Sequence, residues 1–326
     1  MSQSNSPFQQ PKSPNIALFP LRFACGWSEY PRKVGFASAL VLILLRLLIG
    51  WHFYTEGSSK FTSGGFDSSY FLRAASGPYA HHYHDMIWDY DGKLRLNAED
   101  AISRFAWYRD AIGDHYGFSE NQRARAEAVR EHCENQLNYI FAINADDIRE
   151  IEFGRDRIAD LEKTPERQDV ASLKGQRETI EAEWWGKLNP ILADIDICWG
   201  NLERDMNAIA DDEQLRNGHF PLPLPGRKLG DSIMMNSVIP WFDCAIGACL
   251  LLGLFTPVVA LAAAAFLVSV FLSQYPPAGG PGSTYYQLIE AMACLTLAAT
   301  GAGRFAGLDS LIHARLFPAD DNSTKG

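Results

Sequence analysis

The chain has 326 residues, 47% of them hydrophobic, and a net charge of −10, with a mean hydropathy of −0.13. These averages hide a split: residues 34–55 and 233–303 carry almost no charge, while 56–232 holds 21 Lys/Arg and 33 Asp/Glu, a net of −12. The split excludes a simple soluble domain and a disordered chain, and the missing basic patch excludes a nucleic-acid binder.

Residues 1–33 form a polar arm. A spanning helix needs about 20 mostly apolar residues, and 34–55 supplies the first, centred on Ala39-Leu40-Val41-Leu42-Ile43-Leu44-Leu45. No small-residue cleavage site follows, which reads as a retained anchor rather than a signal peptide. The insertion 56–232 opens with turns at Gly64-Gly65, Gly77-Pro78 and Asp91-Gly92 among short elements over 62–96. Asn97 is placed to cap a helix running to about Tyr116, with Asp100 at its third position. Two longer helical patterns occupy about 119–213. Leu137, Phe141, Ile148, Ile151, Ile158 and Leu161 keep near-heptad spacing, and Leu188, Ile191, Ile195, Cys198, Leu202, Met206 and Ile209 step by three and four. Thr164-Pro165-Glu166 parts them with an N-cap, a proline at the first helical position and an early acid. The pattern predicts an antiparallel, coiled-coil-like hairpin, with Pro190 kinking or splitting its second arm. Pro221-Leu222-Pro223-Leu224-Pro225 then leads back to the bilayer.

Residues 233–303 divide into three further spans at 238–255, 257–274 and about 285–303, parted by Pro257 and by the Pro/Gly loop 275–282. A tail, 304–326, follows. The expected fold is an all-α integral membrane protein: a four-transmembrane-helix bundle with an extracytoplasmic helical hairpin between helices 1 and 2. Arg22, Arg32 and Lys33 before the first span, and Arg304 and Arg315 after the last, put both termini in the cytoplasm and the insertion outside an inner membrane. Trp51, Phe53, Tyr54, Trp241, Phe242, Tyr275, Tyr285 and Tyr286 fall at the expected outer ends, as an aromatic belt requires.

Charged groups inside a bilayer need a partner or a job. Arg46, Gly50, Phe53, Gly57 and Lys60 share one face of the first helix, and His52 and Glu56 pair on a neighbouring face. Asn236, Pro240, Asp243 and Gly247 form a stripe on the second helix. Gln287, Glu290, Cys294, Gly301 and Arg304 form one on the fourth. Arg46 lies roughly 10–13 Å below its helix's outer end and Glu290 roughly 6–8 Å below its own. The expected ion pair is Arg46–Glu290, these two being the candidate catalytic residues, with His52, Glu56, Lys60, Asp243 and Cys294 around a pocket open to the outside. Helix locking by the same charges is the alternative. Cys133 and Cys198 are candidates for a disulfide, two buried free thiols being the alternative. No metal site is assigned: His81-His82-x-His84 lacks helical or strand ligand spacing, and Asp89-x-Asp91-Gly92 lacks the third ligand and closing Glu of a calcium loop.

Three blocks carry a resemblance. Leu45-Arg46-Leu47-Leu48-Ile49-Gly50 with Glu56-Gly57-Ser58-Ser59-Lys60-Phe61 resembles the first-helix signature of DoxX-type membrane proteins. Gly247-Ala248-Cys249-Leu250-Leu251-Leu252-Gly253-Leu254-Phe255-Thr256 resembles their second-helix block, and Gly301-Ala302-Gly303-Arg304-Phe305-Ala306-Gly307-Leu308-Asp309 their closing block. The matching positions are Arg46, Gly50, Gly57, Lys60, Gly253, Gly301, Gly303 and Asp309. Pro257 departs from the family, which often has a basic residue there, and the insertion carries no family inference. The resemblance implies a four-helix protein associated with redox systems, a quinone-, thiol- or sulfur-linked membrane subunit, with a quinone or a redox partner protein as electron carrier. In that reading Arg46 hydrogen-bonds a quinone carbonyl and Glu290 exchanges its proton. No His pair or Cys set suits haem or an iron–sulfur cluster. Two other functions compete: a scaffold whose hairpin recruits an extracytoplasmic protein, and a small-solute or lipid-handling membrane protein using the same pocket.

Overall fold

A computed structural model describes residues 24–25, 35–162, 171–276 and 283–316. Among these the chain is all-α, with eleven helices. It divides into two units, residues 1–87 with 229–326, and residues 88–228.

The first unit is built on α1 (Phe36–Thr62), α8 (Ser232–Leu252), α9 (Thr256–Leu272) and α10 (Tyr285–Thr300), with short helices α2 (Ser69–Arg73) and α3 (Ala80–His84) and a closing α11 (Leu308–Leu316). α1 packs chiefly on α8, and α9 on α10. Small residues set the α1–α8 spacing. A Cβ added to Gly57 would lie 2.6 Å from the Cys244 backbone N, and one on Gly247 would lie 2.7 Å from Tyr54 Cα. The backbones therefore touch, as small-residue interfaces allow. Leu42, Ile49, Phe53, Ile246, Leu250, Ala263, Leu267, Cys294 and Leu297 fill the core between the helices.

The boundaries have local causes. Asp231 caps α8, its side chain accepting from Met234 N at 2.9 Å. Gly253 ends α8 at φ +64 and Gly301 ends α10 at φ +61, left-handed positions that suit glycine. α9 starts with Pro257 in its first turn. The carboxylate of Asp309 accepts from the N–H of Phe255 at 2.7 Å and of Thr256 at 2.9 Å, satisfying two donors at that helix start. The expected third and fourth spans are thus helices that stop two or three residues early. Among the described residues, α1 and α8 are by length and composition the two helices able to cross a membrane, while α9 is apolar but has 17 residues. The polar arm, apart from residues 24–25, and the loop 277–282 lie outside the described residues.

The second unit holds α4 (Ala98–Tyr116), α5 (Glu120–Ile143), α6 (Ala145–Glu162) and α7 (Ala171–Asn207). Asn97 caps α4 by accepting from Asp100 N at 3.1 Å, as expected. Ser119 and Gln122 form a capping box on α5. Gln122 bonds Ile209 O, Cys198 bonds Cys133 O, Lys187 meets Asp147 and Glu150, and Gly154 faces Trp184. Contacts that climb one arm while descending the other make α7 antiparallel to α5 and α6. All seven return-arm positions from Leu188 to Ile209 are buried.

Three details differ from the sequence reading. The outward arm is two helices, broken at Asn144, whose side chain bonds Ile140 O at 2.9 Å as the C-cap of α5. Pro190 does not split α7, which runs 37 residues through it. Its ring sits on the exposed side while Leu188 and Ile191 are held in the core. The hairpin is also not a bare two-helix rod. α4 packs on α5 and α7 and adds Phe105, Tyr108 and Ile112, each fully buried. The Thr164-Pro165-Glu166 connection and the side chains of Ile158 and Leu161 lie outside the described residues.

Candidate functional site

The helices of the first unit alternate in direction, which creates two poles. One pole gathers the C-terminal part of α1, the start of α8, the end of α9 and the start of α10. A cavity of about 660 Å³ opens there, inside the range of about 300–1,000 Å³ typical of small-molecule sites. Its polar groups arrive at helical spacing. His52, Glu56 and Lys60 come from successive turns of α1, and Asp243 follows Met235 and Ile239 on α8. Gln287 and Glu290 come from α10. Phe53, Phe66, Phe71, Phe266 and Leu267 make much of the apolar wall.

The ionisable groups form a chain across three helices. Glu290 Oε1 lies 2.8 Å from His52 Nδ1. His52 Nε2 lies 4.0 Å from Glu56 Oε1, and Glu56 Oε2 lies 3.8 Å from Lys60 Nζ. Lys60 donates to Asp243 Oδ2 at 2.8 Å. Asp243 is only 2% exposed, whereas Glu56 stands open at the mouth. Lys60 Nζ also sits 5.4 Å over the Phe66 ring. Asp243 Oδ1 and Gln287 Oε1 are buried and have no hydrogen-bond partner among the described residues.

His52, Glu56, Lys60 and Asp243, expected around a pocket, are thus brought together there, and Glu290 joins them. Arg46 does not. It lies at the opposite pole, 2% exposed, donating to Ala302 O at 3.5 Å and Ala306 O at 3.2 Å. The expected Arg46–Glu290 pair is corrected to His52–Glu290. Side chains on a helix lean toward its N-terminus. That direction carries Arg46 away from the cavity on α1 and carries Glu290 toward it on α10, so the two diverge. The His52–Glu56 contact is the weaker of the two that His52 makes. Cys294, one turn beyond Glu290, is buried in the apolar core and does not line the cavity. At that depth α10 packs against its neighbours and leaves no space.

Several of the positions that carry the resemblance sit at close packing contacts. Gly50 packs on the α8 backbone, 3.0 Å from Leu251 N to its would-be Cβ. Gly253 lies under the Arg46 guanidinium, and Gly303 lies against Asp309 and Thr256. Burial raises the Asp309 carboxyl, opposed by the N–H groups of Thr256 and Phe255.

Sequence reasoning missed the closing segment. Phe66, Phe71, Tyr83 and Met86 line the cavity from a stretch read as loop and short elements, with Tyr83 Oη donating to Ser269 O at 2.7 Å. The run of aromatics from Phe61 to Tyr83 was the available signal. His82 lines the cavity, its ring tilted against that of His81 with centroids 3.8 Å apart, and His84 meets Arg73 O at 3.2 Å. Among the described residues no group of three or more His, Cys, Asp or Glu could hold a metal ion. Asp89 instead braces its own turn, accepting from Leu94 N, Arg95 N and Arg95 Nε.

In the second unit Cys133 and Cys198 are buried free thiols. Cys198 Sγ lies 3.4 Å from Cys133 O. The neighbouring Cys133 side chain and burial push the Cys198 thiol pKa up.

No protein-family model matches this chain, and neither does any curated protein or solved structure.

Proposed function

We propose that this is an integral membrane protein whose four-helix unit binds a small amphipathic molecule in the cavity ringed by His52, Glu56, Lys60, Asp243 and Glu290. The membrane part rests on the outer faces of the helices. Phe36, Leu40, Val41, Leu44, Leu48 and Trp51 on α1 are exposed, as are Val238 and Trp241 on α8 and Ile289 and Met292 on α10. A contiguous apolar surface of that kind marks contact with lipid or protein. In this reading α9 and α10 also span, each covering about 24–26 Å, with the 3₁₀ turn Ala302–Arg304 extending α10. Both termini are cytoplasmic, and residues 56–232 face outward from an inner membrane.

One observation carries the binding reading: a mostly apolar cavity holds ion pairs from three helices and two acceptor oxygens without donors. Structural ion pairs alone need no such space beside them. The test is native mass spectrometry of protein released from mild detergent, with solvent extracts analysed for small molecules. A bound species lost on filling the cavity with Met235→Trp, at unchanged folded yield, is the expected result. A wild type without any bound or added amphiphile sinks the reading.

A second reading keeps the DoxX resemblance and makes the protein a redox-associated subunit handling a quinol. The observation favouring it is the His52–Glu290 pair, which could accept a hydroxyl proton beside aromatic walls. Near-stoichiometric quinone in the same extracts supports it, and extracts free of quinone reject it.

A further inference from the structure

We propose that the cavity selects an amphipathic organic cation, seating its ammonium between Asp243 and Glu290 and its apolar body against the phenylalanine walls. This rests on the binding reading above and names its ligand class.

The first reason is the unmet demand for donors. Asp243 is 2% exposed; Oδ2 accepts from Lys60, and Oδ1 has no partner. Gln287 Oε1, also in the lining, is likewise buried and unpartnered. A buried carboxylate oxygen left bare is unfavourable, and an N–H donor arriving with the ligand would relieve it. The second reason is charge. Within the ion-paired cluster Glu56, Asp243 and Glu290 face Lys60 and His52. Carboxylates outnumber cations three to two even with His52 protonated. An anion would meet repulsion, and an added cation would balance the cluster. The third reason is the walls. Phe53, Phe66, Phe71 and Phe266 are in the lining, and Lys60 already uses Phe66 as a cation–π surface. Apolar body, aromatic faces and an ionic floor together fit an alkyl or aralkyl amine.

Equilibrium dialysis of the full-length protein in a non-ionic detergent tests this with three probes of one shape: phenylbutylamine, phenylbutanol and phenylbutyrate. Wild type is expected to bind the amine at least about tenfold more tightly than the alcohol and to reject the carboxylate. Asp243→Asn should abolish that preference while retaining alcohol binding. Glu290→Gln, which keeps a partner for His52, serves if Asp243→Asn folds poorly. Equal binding of amine and alcohol by wild type overturns the cation inference and leaves the cavity reading standing. Tighter binding of the carboxylate overturns it in sign. Binding of none of the three overturns both.

Discussion

At the scale of single residues, the charges inside the helical unit serve two purposes at two poles. Arg46 ties α1 to the chain after α10 through carbonyl oxygens. Arg46→Met should therefore destabilise by about 1–3 kcal/mol, the cost of stranded buried acceptors, read from thermal unfolding in detergent. The double swap Arg46→Glu/Glu290→Arg should rescue nothing, because the partners differ. Lys60–Asp243 behaves otherwise. Lys60→Met strands a buried carboxylate and should cost about 3–5 kcal/mol, and Lys60→Met/Asp243→Leu should recover most of it. Equal instability of the single and double variants would remove that pair from the account. The stripes of spacing three and four were legible in the sequence, and they placed His52, Lys60, Asp243 and Glu290 near one another. What spacing does not encode is the lean of a side chain toward its helix N-terminus. That lean decides whether Arg46 and Glu290 meet, because their helices run in opposite directions.

At the scale of elements, the α1–α8 contact is limited by backbone approach. Gly57→Ala inserts a methyl 2.6 Å from Cys244 N and should destabilise by about 1–3 kcal/mol as overpacking does. Ala at Gly35, which has nothing within 4 Å among the described residues, is the control. In the second unit Glu127 on α5 binds Arg109 of α4 and Arg130, which also holds Glu134. Hydrogen bonds from Arg130 and Arg109 hold its carboxyl down at about 2. The unfolded value is about 4.3, so this contribution is complete above that pH and fades as pH falls toward about 2. Solvent screening keeps it small. Thermal melts of the full-length protein from pH 7 to pH 3 should show Glu127→Gln with a shallower loss than wild type, and parallel curves would remove the network. The helices of this unit were legible because Asn97 and the three-and-four steps of α7 are strong local signals. The break at Asn144 and the persistence of α7 through Pro190 were not. Both depend on which side of each helix the core occupies.

At the scale of the molecule, the sequence separated an apolar part from an acidic part at 56–232, whereas the structure begins its second unit only at Trp88 and keeps residues 56–87 with the apolar helices, the other boundary falling at Lys228. The four apolar stretches pack together as expected, yet only two pass the length test for spanning. If all four cross, single cysteines placed in a cysteine-free background at Asp212 and at Ser310 should differ in labelling by an impermeant maleimide. Asp212 should react from outside, and Ser310 only after the membrane is opened. Matching labelling at both sites would reject the four-span arrangement. The cavity's far wall was illegible because its aromatics sit in loops and short helices without periodicity, joined to the bundle by contacts distant in sequence.

The Asp309 carboxylate that starts α9 arrives from beyond α10, and this has a consequence for biogenesis. α1 and α8 can pair as soon as both have left the ribosome. The amides of Phe255 and Thr256 must wait for the last part of the chain, so the α9–α10 half is fastened only near the end of translation. A nascent chain halted after Arg304 should hold a protease-resistant α1–α8 pair beside an unfastened second half. One halted after Leu316 should resist throughout.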